Sequence, residues 1–249
     1  MTTHNMLIAP DFSPERFAGW HMFNTLIQKR ANLNMHLNIP TSHAEQETVI
    51  SEGDIQVIYA NPFDAATLIR EHGYHAVARP IGKSDEMVIA AAANSDINSL
   101  DDIKAGATIA MADNHDVKLI GLRLLEAVDI EDNDLNWSVT ETYQAAARQV
   151  IKGDAQAAFF LAEIFHSFSR LTKAQLSVLI ESDLADISHV LLIKDGFPDT
   201  DILMDAILNL HNDDDGKEAL TELGMPQGFE AMNEEDAEFM IDLMQTLLD

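Results

Sequence analysis

The chain has 249 residues, 47% of them apolar and 23% charged, so it is long enough to bury one large core or two smaller ones. Asp and Glu number 42 against 15 Lys and Arg, giving a formal net charge of −27, which disfavours binding to nucleic acids and anionic membranes. The sequence has no cysteine, which excludes disulfides, thiolate nucleophiles and cysteine-ligated metals.

Short apolar runs alternate with amphipathic segments along the first 93 residues, which predicts alternating strands and helices. Ser42 and Glu45 have the spacing of a capping box, and Asn61 before Pro62 is typical of a helix start. The predicted strands are residues 6–9, 35–39, 55–59, 74–80 and 86–93. The predicted helices are residues 14–29 after a Ser13 cap, a segment opening at Ser42, and 61–71.

The same alternation resumes after residue 98, where Ser99 and Asp102 predict a short capped helix. A longer helix is expected to begin at residues 113–116, directly after a strand. The predicted strands of this half are residues 108–111, 136–139, 157–161, 176–180 and 188–193. The other predicted helices are residues 142–152, 162–171, 200–210, 216–223 and 233–248.

This alternation predicts an α/β fold with mainly parallel sheets. Two strand–helix series, with β-rich connections near residues 81–93 and 180–193, indicate two lobes joined by two crossings. The expected first lobe is discontinuous and comprises residues 1–83 and 190–249, and the second comprises residues 84–189. No segment has the length and apolar character of a membrane span, and the first ten residues lack a signal-peptide pattern.

Five local patterns occur in order along most of the chain. They are Gly53-Asp-Ile-Gln-Val-Ile-Tyr-Ala-Asn-Pro62; Val77-Ala-Arg-Pro80 with Gly82; Ser95-x-Ile-x-Ser-Leu-x-Asp102-Ile-Lys-x-Gly106 with Ile109-Ala-x-x-Asp113; Tyr143-Gln-Ala-Ala with Val150-x-x-Gly153-x-Ala-x-Ala-Ala158; and Asp214-Asp-Gly-Lys217 with Leu220 and Leu223-Gly224. In this order they resemble the phosphonate-binding branch of the ABC-transporter solute-binding proteins. The resemblance implies a two-lobed, type 2 periplasmic-binding-protein-like fold with two interlobe crossings.

The resemblance also implies that a small anion is held in a cleft between the lobes, by helix N-termini and strand ends. The residues at such positions are therefore the expected ligand-binding residues. They are Asp11, Phe12, Tyr59, Asn61, Ser84, Asp85, Asn114, His115, Asp116, Thr142, Tyr143 and Glu163.

The chain departs from the family's pattern at the expected anion site. The family has Ser-Thr-Ser where this chain has Asp116-Val117-Lys118, and its hydroxyls hold the anion oxygens. A family His is replaced by Tyr143, and a family Asp that receives the ligand's amine is replaced by Leu161, with Glu163 two positions on. The ligand is thus left open among phosphonates, phosphate and other oxyanions or carboxylates.

Several expected site residues have a purely structural alternative. Asn61 and the residues from Asn114 to Asp116 can act as helix caps, and an acidic residue at a helix N-terminus is stabilising without any ligand. Glu163 and His166 have a spacing that suits a metal, but no third ligand is identifiable. Residues 211–222 imitate a calcium loop, yet a capped helix start is the better interpretation. We therefore expect no metal, no cofactor and no catalytic residue.

The sequence thus predicts a solute-binding protein for ABC-type uptake, with a transporter permease as its expected partner. The alternative is a cytosolic ligand sensor or interaction protein of the same fold, whose partner is a regulatory protein. An enzyme on the same scaffold, with Glu163, His166 or His115 as acid or base, is the third hypothesis. The expected location is cytoplasmic for the chain as written and periplasmic for a trimmed mature chain.

Overall fold

The computed structural model describes residues 3–10, 16–182 and 187–248. Its chain divides into two compact units. Unit 1 comprises Met1–Lys83 and Ser188–Gln245, and unit 2 comprises Ser84–Ile187 with Thr246–Asp249.

Strands and helices alternate along the described residues. The strands are β1 (Thr3–Ile8), β2 (Asn34–Asn38), β3 (Val57–Ala60), β4 (Tyr74–Pro80), β5 (Met87–Ala92), β6 (Thr108–Ala112), β7 (Asn136–Thr140), β8 (Ala157–Leu161), β9 (Leu176–Glu181), β10 (Val190–Lys194) and β11 (Phe229–Ala231). The helices are α1 (Phe17–Ala31), α2 (His43–Glu52), α3 (Pro62–Glu71), α4 (His115–Leu125), α5 (Tyr143–Lys152), α6 (Ala162–Ser167), α7 (Arg170–Lys173), α8 (Thr200–Leu208), α9 (Asp214–Glu222) and α10 (Glu234–Leu248).

Unit 1 is built on a six-stranded sheet with the strand order β11–β4–β10–β3–β1–β2. Strands β1, β2 and β3 pair in parallel, whereas β10 and β11 pair antiparallel to their neighbours. Alternate residues of β1 and β3 enter two different cores, one on each face of the sheet. The sheet is therefore buried on both faces, which explains the uninterrupted apolar runs of its central strands.

Aromatic side chains dominate one of the two cores of unit 1. Trp20 and Phe23 of α1 are fully buried and pack edge to face, with ring centroids 5.5 Å apart. The opposite face of the sheet packs against aliphatic residues of α3 and α10, such as Leu68 and Met240.

Unit 2 has a five-stranded sheet in the order β7–β6–β8–β5–β9. Strands β6, β7 and β8 are mutually parallel, and β5 pairs antiparallel with both β8 and β9. Phe160 of β8 contributes to a core that includes α5 and α6. The preceding residue, Phe159, points to the other face of the sheet, where its ring lies against Gly121 of α4. Both units therefore surround three parallel strands with helices.

The structure confirms the α/β fold and refines it. Each sheet is mixed, because the strands in the β-rich connections pair antiparallel with the parallel core. The expected helix over residues 162–171 is wrong as a single element. Phe168 is extended and buries its ring against Phe160, and Ser169 then caps α7 by accepting a hydrogen bond from Thr172 N–H. Strand β11 was not predicted.

The expected capping box at α2 forms only in part. Ser42 Oγ accepts from Glu45 N–H, as expected, but the Glu45 carboxylate accepts from Thr41 N–H instead of from the N–H of Ser42. That backbone N–H lowers the pKa of Glu45. The helix begins at the expected residue, because half of the box already fixes its first turn.

Replacing Gly121 with Ala is expected to destabilise the protein by roughly 1–3 kcal/mol, because overpacking displaces core side chains. A Cβ at Gly121 would lie 2.2 Å from Phe159 Cε2. Urea unfolding of the variant measures the decrease in the free energy of unfolding. The matched control combines Gly121→Ala with Phe159→Leu, which removes the colliding ring and should cost less than the sum of the two single changes. A Gly121→Ala protein as stable as the wild type would contradict this packing.

Candidate binding site

In both units the order of the parallel strands defines a topological switch point. In unit 1, β1 lies between β2 and β3, and in unit 2, β6 lies between β7 and β8. The connection that follows β1 therefore leads to β2 on one side of it, and the next connection leads back to β3 on its other side. In the same way, β6 is followed by β7 on one side and by β8 on the other. Ligands of open α/β sheets bind beyond the carboxyl ends of such strands, where successive connections diverge.

In unit 1, the ends of β1 and β3 are joined by a hydrogen bond from Ala9 N–H to Tyr59 O, 2.9 Å long. Tyr59 is only 1% exposed, and its ring lies 4.8 Å from that of Trp20. The Tyr59 hydroxyl lies 4.0 Å from Met225 Sδ. Tyr59 is thus buried beneath the ends of β1 and β3. Its direct contact with a ligand stays a prediction.

Asn61 is the N-cap of α3. Its Oδ1 accepts a hydrogen bond of 2.8 Å from Asp64 N–H, and its Nδ2 donates to the Asp64 carboxylate. The side chain has a defined structural role, as the cap interpretation expects, and Asn61 is 1% exposed. The two other expected residues of this edge, Asp11 and Phe12, lie outside the described residues.

Sequence reasoning missed His189, which stands directly before β10. Strand β10 runs antiparallel to β3, with Val190 opposite Ala60, so His189 comes at the same edge as the end of β3. Its ring stacks on Tyr59 with centroids 5.5 Å apart and planes inclined by 28°. A histidine at the start of a β-prone run carries no spacing that identifies it, since only the strand pairing brings it beside Tyr59.

Ser84 and Asp85 follow the point at which the chain passes from unit 1 to unit 2. Both are half-buried, and Asp85 N–H donates a hydrogen bond of 2.7 Å to Ile187 O, where the chain is about to return. Within unit 2, this bond ties the outgoing and the incoming segment together. The adjacent Glu86 carboxylate accepts a hydrogen bond from the Ser182 hydroxyl.

In unit 2, the end of β6 leads directly into α4. Asn114 caps this helix, its Oδ1 accepting a 2.9 Å hydrogen bond from Val117 N–H. His115 is exposed, whereas Asp116 is only 4% exposed although it belongs to the first turn. The N-terminal end of α4 therefore combines a positive helix dipole with a buried carboxyl side chain.

Three further expected residues follow β7 and β8. Thr142 caps α5 by accepting from Ala145 N–H, and Tyr143 is half-buried with its ring 6.4 Å from that of Phe160. Glu163 is exposed in the first turn of the short helix α6. Because β6, β7 and β8 are parallel, Asn114, Thr142 and Glu163 follow strand ends at one edge of the unit 2 sheet.

Lys118 does not supply a cation to the start of α4. Its Nζ lies 2.9 Å from Asp132 and 4.5 Å from the ring centroid of Trp137, whose indole N–H also donates to Asp132. The hydrogen bond from Lys118, with that from Trp137, lowers the pKa of Asp132. Lys118 thus supports the junction of α4 with β7.

The two metal-like patterns have other roles. His166 Nε2 lies 2.6 Å from the Glu181 carboxylate, so its partner is on β9 and not Glu163. Asp213 caps α9 through Gly216 N–H and pairs with Arg30 at 2.5 Å, as the capped-helix interpretation of residues 211–222 expects. Among the described residues, no group of three or more His, Asp or Glu side chains is arranged to hold a metal ion.

Fold and strand ends together define an α/β binding protein with polar residues at two switch points. The sequence model of the family described as "ABC transporter, phosphonate, periplasmic substrate-binding protein" matches residues 6–237. The chain belongs to this family and is a solute-binding protein of ABC-type uptake, which confirms the resemblance found in its motifs. No curated protein sequence matches the chain significantly.

Solved structures share the fold at low sequence identity. XAC2383 from Xanthomonas citri, bound to ATP, matches with a TM-score of 0.81 at 11% identity, over 100% of this chain and 99% of that one. PhnD1 from Prochlorococcus marinus, in complex with methylphosphonate, matches with a TM-score of 0.80 at 14% identity, over 99% and 98%. The aliphatic sulphonate binding protein SsuA from Escherichia coli matches with a TM-score of 0.65 at 14% identity, over 100% and 92%.

These likenesses confirm the periplasmic-binding-protein fold. Among the helices of the described residues, none is both long and apolar enough to cross a membrane.

Two substitutions test the capping role of Asn61. Asn61→Ala removes the acceptor for Asp64 N–H and should lower the free energy of unfolding by about 1 kcal/mol. Asn61→Ser keeps a capping hydroxyl and should recover most of that loss. Thermal unfolding of both variants, beside Thr142→Ala and Thr142→Ser in unit 2, provides the measurement. Equal stability of Asn61→Ala and wild type would contradict the capping role.

Proposed function

We propose that units 1 and 2 are the two lobes expected from the sequence, and that the polar strand ends of each supply the ligand contacts. The expected residues of this proposal are Asp11, Phe12, Tyr59, Asn61, Ser84, Asp85, Asn114, His115, Asp116, Thr142, Tyr143 and Glu163. The observation that carries it is the placement of the starts of α3 and α4 directly after β3 and β6, each at a switch point.

The proposed ligand is a small oxyanion, either phosphonate-like, phosphate, sulfonate or carboxylate. The starts of α3 and α4 provide backbone N–H groups and positive dipole ends, which favour negative charge. Family membership supports the same class, as does methylphosphonate in the similar structure from Prochlorococcus marinus. Because the formal net charge is −27, the ligand would be attracted by these local dipoles and not by the overall field.

The proposed role is binding without turnover, in delivery to an ABC-transporter permease outside the cytoplasm. The family description names a periplasmic substrate-binding protein, which supports the permease as partner over a regulatory protein. Of the residues considered as acid or base, His115 and Glu163 stand exposed at the starts of two different helices, and His166 pairs with Glu181.

Binding of an oxyanion should raise the melting temperature. At a ligand concentration a hundred times Kd, mass action stabilises the protein by roughly 2.7 kcal/mol. We expect a shift with at least one of methylphosphonate, phosphate, an alkanesulfonate, acetate and bicarbonate, confirmed by calorimetric titration. ATP and sodium chloride at matched ionic strength are the controls for a nucleotide-specific and a purely ionic effect. A flat response to all five anions would refute the proposed ligand class.

Asp116 should oppose an anion at the start of α4. Its side chain is only 4% exposed, so a negative charge on it would be poorly screened by solvent. Asp116→Asn is therefore expected to tighten methylphosphonate binding about tenfold, or ~1.4 kcal/mol. Asp201→Asn is the matched control, since it removes one charge from the first turn of α8 in unit 1. Weaker binding by Asp116→Asn alone would show that the carboxylate accepts a hydrogen bond from the ligand instead.

A further inference from the structure

We infer that His189 contacts the bound solute from unit 1. This inference rests on the proposed function and adds a residue to it.

Strand pairing places His189 at the ligand edge. In the antiparallel ladder of β10 and β3, Leu191 stands opposite Tyr59 and Val190 opposite Ala60. One further step of this register sets His189 opposite Asn61, the N-cap of α3. Because the carboxyl end of β3 flanks the switch point of unit 1, the start of β10 flanks it as well.

The His189 ring has a fixed orientation. It stacks at 5.5 Å on Tyr59, which in turn packs at 4.8 Å against the fully buried Trp20. These three rings form a column, here called the aromatic column, that runs from the core of unit 1 to the end of its sheet. A ring supported in this way loses little conformational freedom when it binds a ligand, which favours affinity.

Among the described residues from 59 to 61 and from 188 to 189, His189 has the most exposed side chain. Tyr59, Ala60 and Asn61 are each 1% exposed and Ser188 is 4% exposed, whereas His189 is 8% exposed. An imidazole carries at least one N–H donor in either protonation state. A hydrogen bond from it to an oxyanion is charge-assisted, and hence stronger than a bond between neutral groups. The geometry therefore assigns His189 as a donor to the anionic group of the solute.

The test combines the ligand affinities of His189 variants with the NMR signals of the His189 ring. His189→Ala should weaken methylphosphonate binding about tenfold, since hydrogen bonds to charged groups have roughly that value. His189→Gln retains an N–H donor and should recover most of the affinity. His36→Gln changes an exposed histidine of β2 in the same unit and should leave affinity unchanged.

In the wild-type protein, the imidazole nitrogen signals of His189 are assigned by their loss in His189→Gln, and they should shift when methylphosphonate is added. A merely structural role would reduce stability without moving these signals on binding. Binding with unmoved signals and full affinity in His189→Ala would overturn the inference while leaving the proposed function intact. A wild-type protein that binds none of the five anions of the thermal-shift panel would overturn both.

Discussion

The proposed binding site depends on the burial of three parallel strands on both faces in each unit. Since helices cover both faces, the polar backbone of β1, β3, β6 and β8 meets solvent only at the strand ends. The switch points lie at these ends, so the helices that follow present their free N–H groups there. Apolar burial thus fixes the position of the polar groups, and we propose that the few side chains at the strand ends determine which solute is bound.

Those side chains give the two units different characters. In unit 1, the aromatic column ends in His189 beside the Asn61 cap, whose side-chain amide is hydrogen-bonded to Asp64. In unit 2, Asp116 lies within the first turn of α4, and Lys118 is drawn away to Asp132 and Trp137. We therefore propose that the His189 ring favours an oxyanion in unit 1, while in unit 2 the helix dipole competes with a buried carboxyl group.

Most of the fold could be predicted because it depends on local patterns. Alternating apolar runs located nearly every strand, and Asn61, Ser99 and Thr142 marked helix starts through their own capping chemistry. The break between α6 and α7 at Phe168 was not predictable, because it depends on the tertiary contact between the rings of Phe168 and Phe160. Strand β11 has three residues and follows Gly228 at φ +81°, so it is too short for periodicity to reveal it. His189 was missed for a similar reason, because its relation to Tyr59 exists only through the pairing of β10 with β3.

Backbone amide NMR during titration with methylphosphonate shows where the solute binds without any substitution. We expect the largest shift changes at Asn61, Phe63 and Asp64 at the start of α3, at Asn114–Val117 at the start of α4, and at His189. Changes concentrated instead in the groove that His21 and Met22 of α1 form with Asp215 and Glu218 of α9 would contradict the proposed site.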